Sequence, residues 1–214
     1  MVAHGHRGGS ILAAKDIKCW DEDESLPFEK SAVLYLHDLI YMLAGVMIVF
    51  LLVFRIVIVS GSSMYSTLRN GDWLLVSSSV FYQSPQAGDI IVASKDSFDD
   101  GEPIIKRVIA TEGQTVDIDF ETGIVYVDDV ALQEDYTYTP TNVEEGIVFP
   151  IKIADGCIFV MGDNRNGSKD SRHPEIGMID EREILGKAIF LIFPGTGEGN
   201  NIAPREFDRI GALK

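Results

Sequence analysis

Basic residues are scarce in this chain. Its 214 residues hold 18 lysines and arginines against 33 aspartates and glutamates, a formal net charge of −15. Nucleic acid needs a basic surface for its phosphates, and no run of Lys or Arg supplies one, so the balance argues against such a partner. The acidity itself reads as solubility. Cysteine is scarcer still, with two. Cys19 and Cys157 flank the one long apolar run. If that run crosses a membrane they cannot pair within the chain, and the cysteine count assigns no redox compartment. Four histidines are scattered, and no Cys/His spacing suggests zinc. No metal site is expected.

What is present begins with the apolar run. Leu39 to Phe54 carries no charge. That is slightly short of the ~20 residues that cross a bilayer core. Val33–Leu36 before it and Ile56–Val59 after it extend the stretch, and Asp38 and Arg55 fall near the two interfaces, where arginine can snorkel. No amphipathic face is visible. The pattern predicts a transmembrane helix over residues 32–55, behind a polar tail, residues 1–31, that carries the acidic run Asp21–Glu24. A cleavable signal peptide fits less well, because the run starts far from the N-terminus and behind acids.

Beyond Ile56 the chain reads as short strands. Trp73–Ser77, Asp89–Ala93, Ile104–Ala110, Thr115–Asp119, Ile124–Val127, Ile158–Met161 and Lys187–Phe193 are β-branched or apolar, with Gly, Asp, Asn and Pro between them. They predict a mainly β domain over residues 56–193, an antiparallel coiled sheet or barrel-like fold. Residues 129–155 fit that core poorly and read as a lobe. Residues 194–214 read as a polar C-terminal tail.

Three stretches carry chemistry. Ser60-Gly61-Ser62-Ser63-Met64-Tyr65-Ser66-Thr67-Leu68 follows the apolar run and offers Ser63 as a nucleophile. A serine hydroxyl needs a neighbouring base. Ile104-Ile105-Lys106-Arg107-Val108-Ile109-Ala110 offers Lys106. Free lysine is a poor base at neutral pH, but burial disfavours the ammonium and lowers the pKa. Period-two alternation places Lys106 on the face of Ile104 and Val108, an inward position. A carboxylate close to it would be counterproductive. Acyl transfer also needs a donor for the oxyanion, and the Ser63 backbone N–H is the natural candidate. The third stretch, Gly162 to Arg172, is dense in polar side chains between apolar strands. Asp163, Asn164 and Asp170 evoke a calcium loop, but the glycine and glutamate spacing of an EF-hand is absent.

In this order behind one apolar span, the three stretches resemble type I signal peptidases, the membrane-anchored serine–lysine proteases that remove signal peptides. The resemblance covers about residues 56–193, with Gly162 to Arg172 its most specific piece. It implies that Ser63 is the nucleophile and Lys106 its general base, without a cofactor. It implies that Ser168 hydrogen-bonds and orients Lys106, and that Asp163, Asp170 and Arg172 are structural ionic positions, with Arg107 a partner for Asp163. Gly61 stands where some members carry a serine as second oxyanion donor, which resembles the Gram-positive, single-span branch. Ser66 stands where the family usually has proline, which loosens the turn. His173 is not at the position where eukaryotic and archaeal relatives place a histidine base.

The implied substrates are secretory preproteins with small residues at −1 and −3 of the cleavage site. The implied location is a bacterial cell membrane, N-terminus cytoplasmic, catalytic domain extracytoplasmic, with the lipid bilayer as partner. A self-cleaving repressor with similar Ser–Lys chemistry would need a DNA-binding module in place of the span. A membrane-tethered, non-catalytic β domain binding exported or pilus proteins is the alternative from another class, and intact Ser63, Lys106 and Ser168 argue against it.

Overall fold

The computed structural model describes residues 28–98, 101–197 and 203–213. Cys19 and the acidic tail lie outside them. The chain divides into two compact units, Met1–Ala44 and Gly45–Lys214. The first helix, α1, runs Phe28–Val53. Its stretch Ser31–Val53 is 23 residues long and apolar enough to cross a membrane, with its side chains exposed. At 1.5 Å per residue it extends over roughly 34 Å, sufficient for a hydrocarbon core of about 30 Å. The helix starts before residue 32 and ends before residue 55, and Ile56–Val59 do not prolong it. Those four β-branched residues favour extended backbone. Phe54–Ile58 form strand β1, paired with β2 (Trp73–Ser78).

The remaining strands are β3 (Ile90–Ser94), β4 (Pro103–Ala110), β5 (Thr115–Asp119), β6 (Ile124–Val127), β7 (Val130–Ala131) and β8 (Ile151–Lys152). After them come β9 (Cys157–Met161), β10 (Ile179–Asp180), β11 (Ile184–Phe193) and β12 (Gly211–Ala212). An eight-stranded sheet has the order β1-β2-β11-β3-β4-β9-β10, with β12 on β11, and a four-stranded sheet has the order β7-β6-β5-β8. Every pairing is antiparallel. The fold is mainly β, as expected, but neither sheet closes into a barrel: β1 and β10 end the large sheet without pairing each other.

Core burial follows the pleat. On β3, Ile90 and Val92 join Leu74, Val76 and Leu191 on one face, while Ile91 and Ala93 join Val108, Ile158 and Val160 on the other. Both faces are covered, which is why β3 reads as an unbroken apolar run.

Two boundaries differ from the sequence pattern. The lobe does not begin at residue 129. Its short strands β7 and β8 are edges of a sheet whose centre is β5 and β6. Two-residue strands leave no periodic trace, so only their partners reveal them. Residues 203–213 are not a free tail either. β12 adds to β11, and Arg209 reaches the buried Asp72.

Candidate active site

Ser63 sits in the connection between β1 and β2. A ladder contact on each side closes that connection: Val59 N–H donates to Asp72 O at 2.8 Å and Gly71 N–H to Val59 O at 2.8 Å. Gly61 has φ +88°, a backbone conformation that favours glycine, and its N–H donates to Asn70 Oδ1 at 2.9 Å. One helical turn follows, in which Leu68 N–H donates to Met64 O at 2.8 Å. Met64 and Leu68 are buried in the core of the large sheet and pin the turn from below. Thr67 Oγ1 donates to Asp163 Oδ2 at 2.5 Å. These contacts hold the turn through Ser66.

Lys106 lies on β4, opposite Ile91 of β3. Its side chain is buried, and Nζ lies 3.0 Å from Ser63 Oγ and 3.2 Å from Ile105 O. Among the described residues Lys106 forms no salt bridge. Burial pushes its amine down from 10.5 to about 8, against the upward pull of Asp170, Glu145 and Asp163, with Arg172 helping to lower it. The next residue, Arg107, takes the nearby carboxylate instead. Its Nε donates to Asp163 Oδ1 at 2.9 Å and its Nη2 to Asp163 Oδ2 at 2.8 Å. Tyr136 stacks on the Arg107 guanidinium, 4.0 Å from the ring centroid.

The polar stretch from Gly162 forms a buried frame beside this pair. Arg172 grips Asp170 through Nε to Oδ1 and Nη2 to Oδ2, both 2.8 Å, and donates to Arg165 O at 2.6 Å. Asp170 Oδ2 also accepts from the Gly162 N–H at 3.0 Å. Arg165 reaches Glu134 with two bonds of 2.8 and 2.6 Å and donates to Gly162 O at 3.0 Å. Buried ion pairs are weak evidence of stability, but removing one partner leaves an uncompensated charge. Here each charge is matched, so the loop is fixed. Asn164 closes the frame on the Ser63 turn: its N–H donates to Ser63 O at 3.0 Å, and its Nδ2 donates to Ser62 O at 3.2 Å.

Residues 33–193 match the family described as signal peptidase, peptidase S26. The chain belongs to that family. A probable signal peptidase I-1 from Synechocystis sp. is 40% identical over 148 residues, covering 66% of this chain and 72% of the relative. Signal peptidase I of Bacillus amyloliquefaciens is 36% identical over 147 residues, covering 64% and 72%. A crystal structure of a signal peptidase I from Enterococcus faecalis V583 aligns at TM-score 0.40 and 27% identity, covering 49% of this chain and 97% of that one. The family match and the two sequence relatives give no support to a non-catalytic tether.

In this signal peptidase family member, Ser63, Lys106, Asp163, Asp170, Arg172 and Arg107 converge. Ser168 is close by but differs from expectation. It is buried, yet its Oγ donates to Lys169 O at 3.4 Å, and no hydrogen bond to Lys106 occurs among the described residues. Its hydroxyl packs against Gly162, where a Cβ would run into Ser168 Oγ and Ser63 O at once. Close approach, with Gly162 as the spacer, keeps Ser168 beside the pair. His173 is elsewhere: its Nδ1 accepts from the Glu175 N–H at 3.2 Å. Sequence reasoning missed Thr67, Glu134, Tyr136, Asn164 as a backbone clamp, and Arg165. Glu134 and Arg165 are 31 residues apart, and no local pattern joins them.

Proposed function

We propose that this chain is a membrane-bound type I signal peptidase that cuts signal peptides from secretory preproteins. The observation that carries the reading is a buried lysine amine 3.0 Å from a serine hydroxyl on a half-buried turn. Ser63 Oγ attacks the scissile carbonyl carbon, and Lys106 Nζ takes its proton. The oxyanion accepts a hydrogen bond from the Ser63 N–H, which has no acceptor among the described residues. The intermediate collapses, Lys106 protonates the leaving amine, and the acyl-enzyme ester remains. A water, deprotonated by Lys106, then attacks the ester, and Lys106 returns that proton to the departing Ser63 Oγ. An amine near 8 leaves roughly a tenth of the lysines neutral at pH 7, enough to act as base. Gly61 has no side chain to add a second donor. Ser168 and the Asp163, Asp170, Arg107 and Arg172 pairs hold the lysine and the serine in register. Small residues at −1 and −3 of the cleavage site are part of the proposal, with larger side chains excluded by steric clash.

The test is cleavage of a preprotein by the detergent-solubilised full chain, with the new N-terminus of the product sequenced. One cut after a small residue is expected. A folded protein that leaves several preproteins intact would return the chain to a tethering role. The orientation, N-terminus cytoplasmic with α1 in the bilayer, is part of the same proposal. A cysteine introduced beyond Pro194, at the exposed Asp208, should react with a membrane-impermeant thiol reagent on intact cells. Reaction of Cys19 under those conditions would reverse the topology.

A further inference from the structure

Arg209 lies beyond residues 33–193, in the segment that returns to the large sheet. Its anchor, Asp72, is fully buried, and the carboxylate collects four donors. Oδ1 accepts from the Gly195 N–H at 2.6 Å and from Arg209 Nη1 at 3.1 Å. Oδ2 accepts from the Arg69 N–H at 2.7 Å and from Arg209 Nη2 at 2.6 Å. The same Nη2 also donates to Thr67 O at 3.2 Å. Thr67 belongs to the turn that carries Ser63, and its hydroxyl donates the opposite way, to Asp163. Asp163 is held by Arg107, next to Lys106 on β4. Thr67 is therefore tied at its carbonyl to the C-terminal segment and at its hydroxyl to the strand of the lysine. The segment is itself secured. Leu213 N–H donates to Ile189 O at 3.0 Å, Arg69 pairs with Glu206 at 2.9 Å, and β12 ladders onto β11.

We infer that residues 203–213 strap the nucleophile turn to the sheet, and that Arg209 is a positioning residue keeping Ser63 at hydrogen-bond distance from Lys106. The inference rests on the reading of those two residues as the reacting pair. Ser63 sits outside any strand, so ties of this kind, with the Asn164 bond and the buried Met64 and Leu68, fix it. A displacement of about 1 Å at a reacting group can cost ~10²-fold in rate. The planar fork of arginine spans Asp72 and Thr67 together. A lysine there would keep the charge beside Asp72 but lose the two-nitrogen grip on its carboxylate, which aims the Nη2 donor at Thr67 O.

Arg209→Lys in the full-length, detergent-solubilised protein tests this, with preprotein cleavage followed from low to high pH. The expected result is kcat lower by about 10- to 100-fold with KM unchanged. The acid limb of the pH profile should also move to higher pH, because a looser turn wets an amine that burial holds at about 8. A protein merely less stable would lose amplitude without moving that limb. Should Arg209→Lys fail to fold, Asp72→Asn/Arg209→Gln, which removes both buried charges, carries the same test. Wild-type kcat in the folded variant, or a fall in kcat with an unmoved limb, overturns the strap. Ser63→Ala in the same assay keeps the two readings apart: full activity there overturns the Ser63 reading, whatever Arg209→Lys does.

Discussion

Ser63→Ala and Lys106→Ala are each expected to lose about 10⁴-fold or more in kcat/KM for a preprotein, and the double variant to be no worse than either. The reason is geometric. Nζ and Oγ are 3.0 Å apart, and in the proposed mechanism they act on one proton, so removing either ends the same transfer. Among the described residues His173 is no second base for the serine, since it accepts from the Glu175 backbone. Initial rates with enzyme in excess would measure both singles and the double. If Lys106→Ala keeps a tenth of wild-type activity, another group takes the proton, and the assignment of Lys106 fails. If the double falls far below both singles, the two residues contribute independently, which a shared proton does not allow. Ser168→Ala should cost much less, since its hydroxyl packs against Gly162 and bonds to Lys169 O.

Strand positions were legible because both faces of the large sheet bury β-branched residues, and turn residues separate the runs. Thr115–Asp119 and Ile124–Val127 coincide with β5 and β6. The helix–strand junction at Phe54 was not legible. Hydropathy alone cannot tell the end of a span from an apolar strand, and only the ladder of Phe54–Ile58 with Trp73–Ser77 decides it. The proximity of Ser63 and Lys106, on which the proposed mechanism rests, was legible for a chemical reason. A lysine among isoleucines and valines has few roles, and alternation placed it inward. Its companions were less so. Thr67 and Asn164 act through backbone partners, and a backbone hydrogen bond imposes no residue type. Arg165 and Arg172 both stand in the polar stretch, but Arg165 finds its carboxylate, Glu134, in the other sheet's connection. Arg209 is the furthest case. Its partner Asp72 is 137 residues away, and the pair reads in sequence as two ordinary surface charges.

The frame also explains how the Lys106 amine stays lowered in so acidic a chain. Asp163 and Asp170 both raise the Lys106 pKa, as does Glu145. Arg107 and Arg172 grip the two aspartates in forked pairs, so each carboxylate reaches the amine with an arginine attached. Burial then remains the largest influence on the lysine.

Lys106→Met is therefore expected to be inactive and more stable than the wild type at pH 7. The folded amine stands at about 8 against 10.5 unfolded. At 1.36 kcal/mol per unit, that shift is a penalty of roughly 3 kcal/mol on the charged form. The sign follows from proton counts. Below the folded value both states carry the proton, and the wild type bears the whole penalty. Between about 8 and 10.5 the unfolded state binds more protons, so wild-type stability rises with pH. Above the unfolded value the penalty is gone. Methionine fills most of the lysine stem's volume among Ile91, Ile104 and Val108 without a charge. Denaturant melts of both full-length proteins in the same detergent, from pH 6 to 10.5, would trace the gap. It should be flat up to about pH 8 and close across the next two to three units. Equal stability at pH 7 would mean that a carboxylate, with Asp170 and Glu145 the nearest in influence, stabilises the ammonium fully. Lys106 would then be charged at neutral pH and unfit to accept the Ser63 proton.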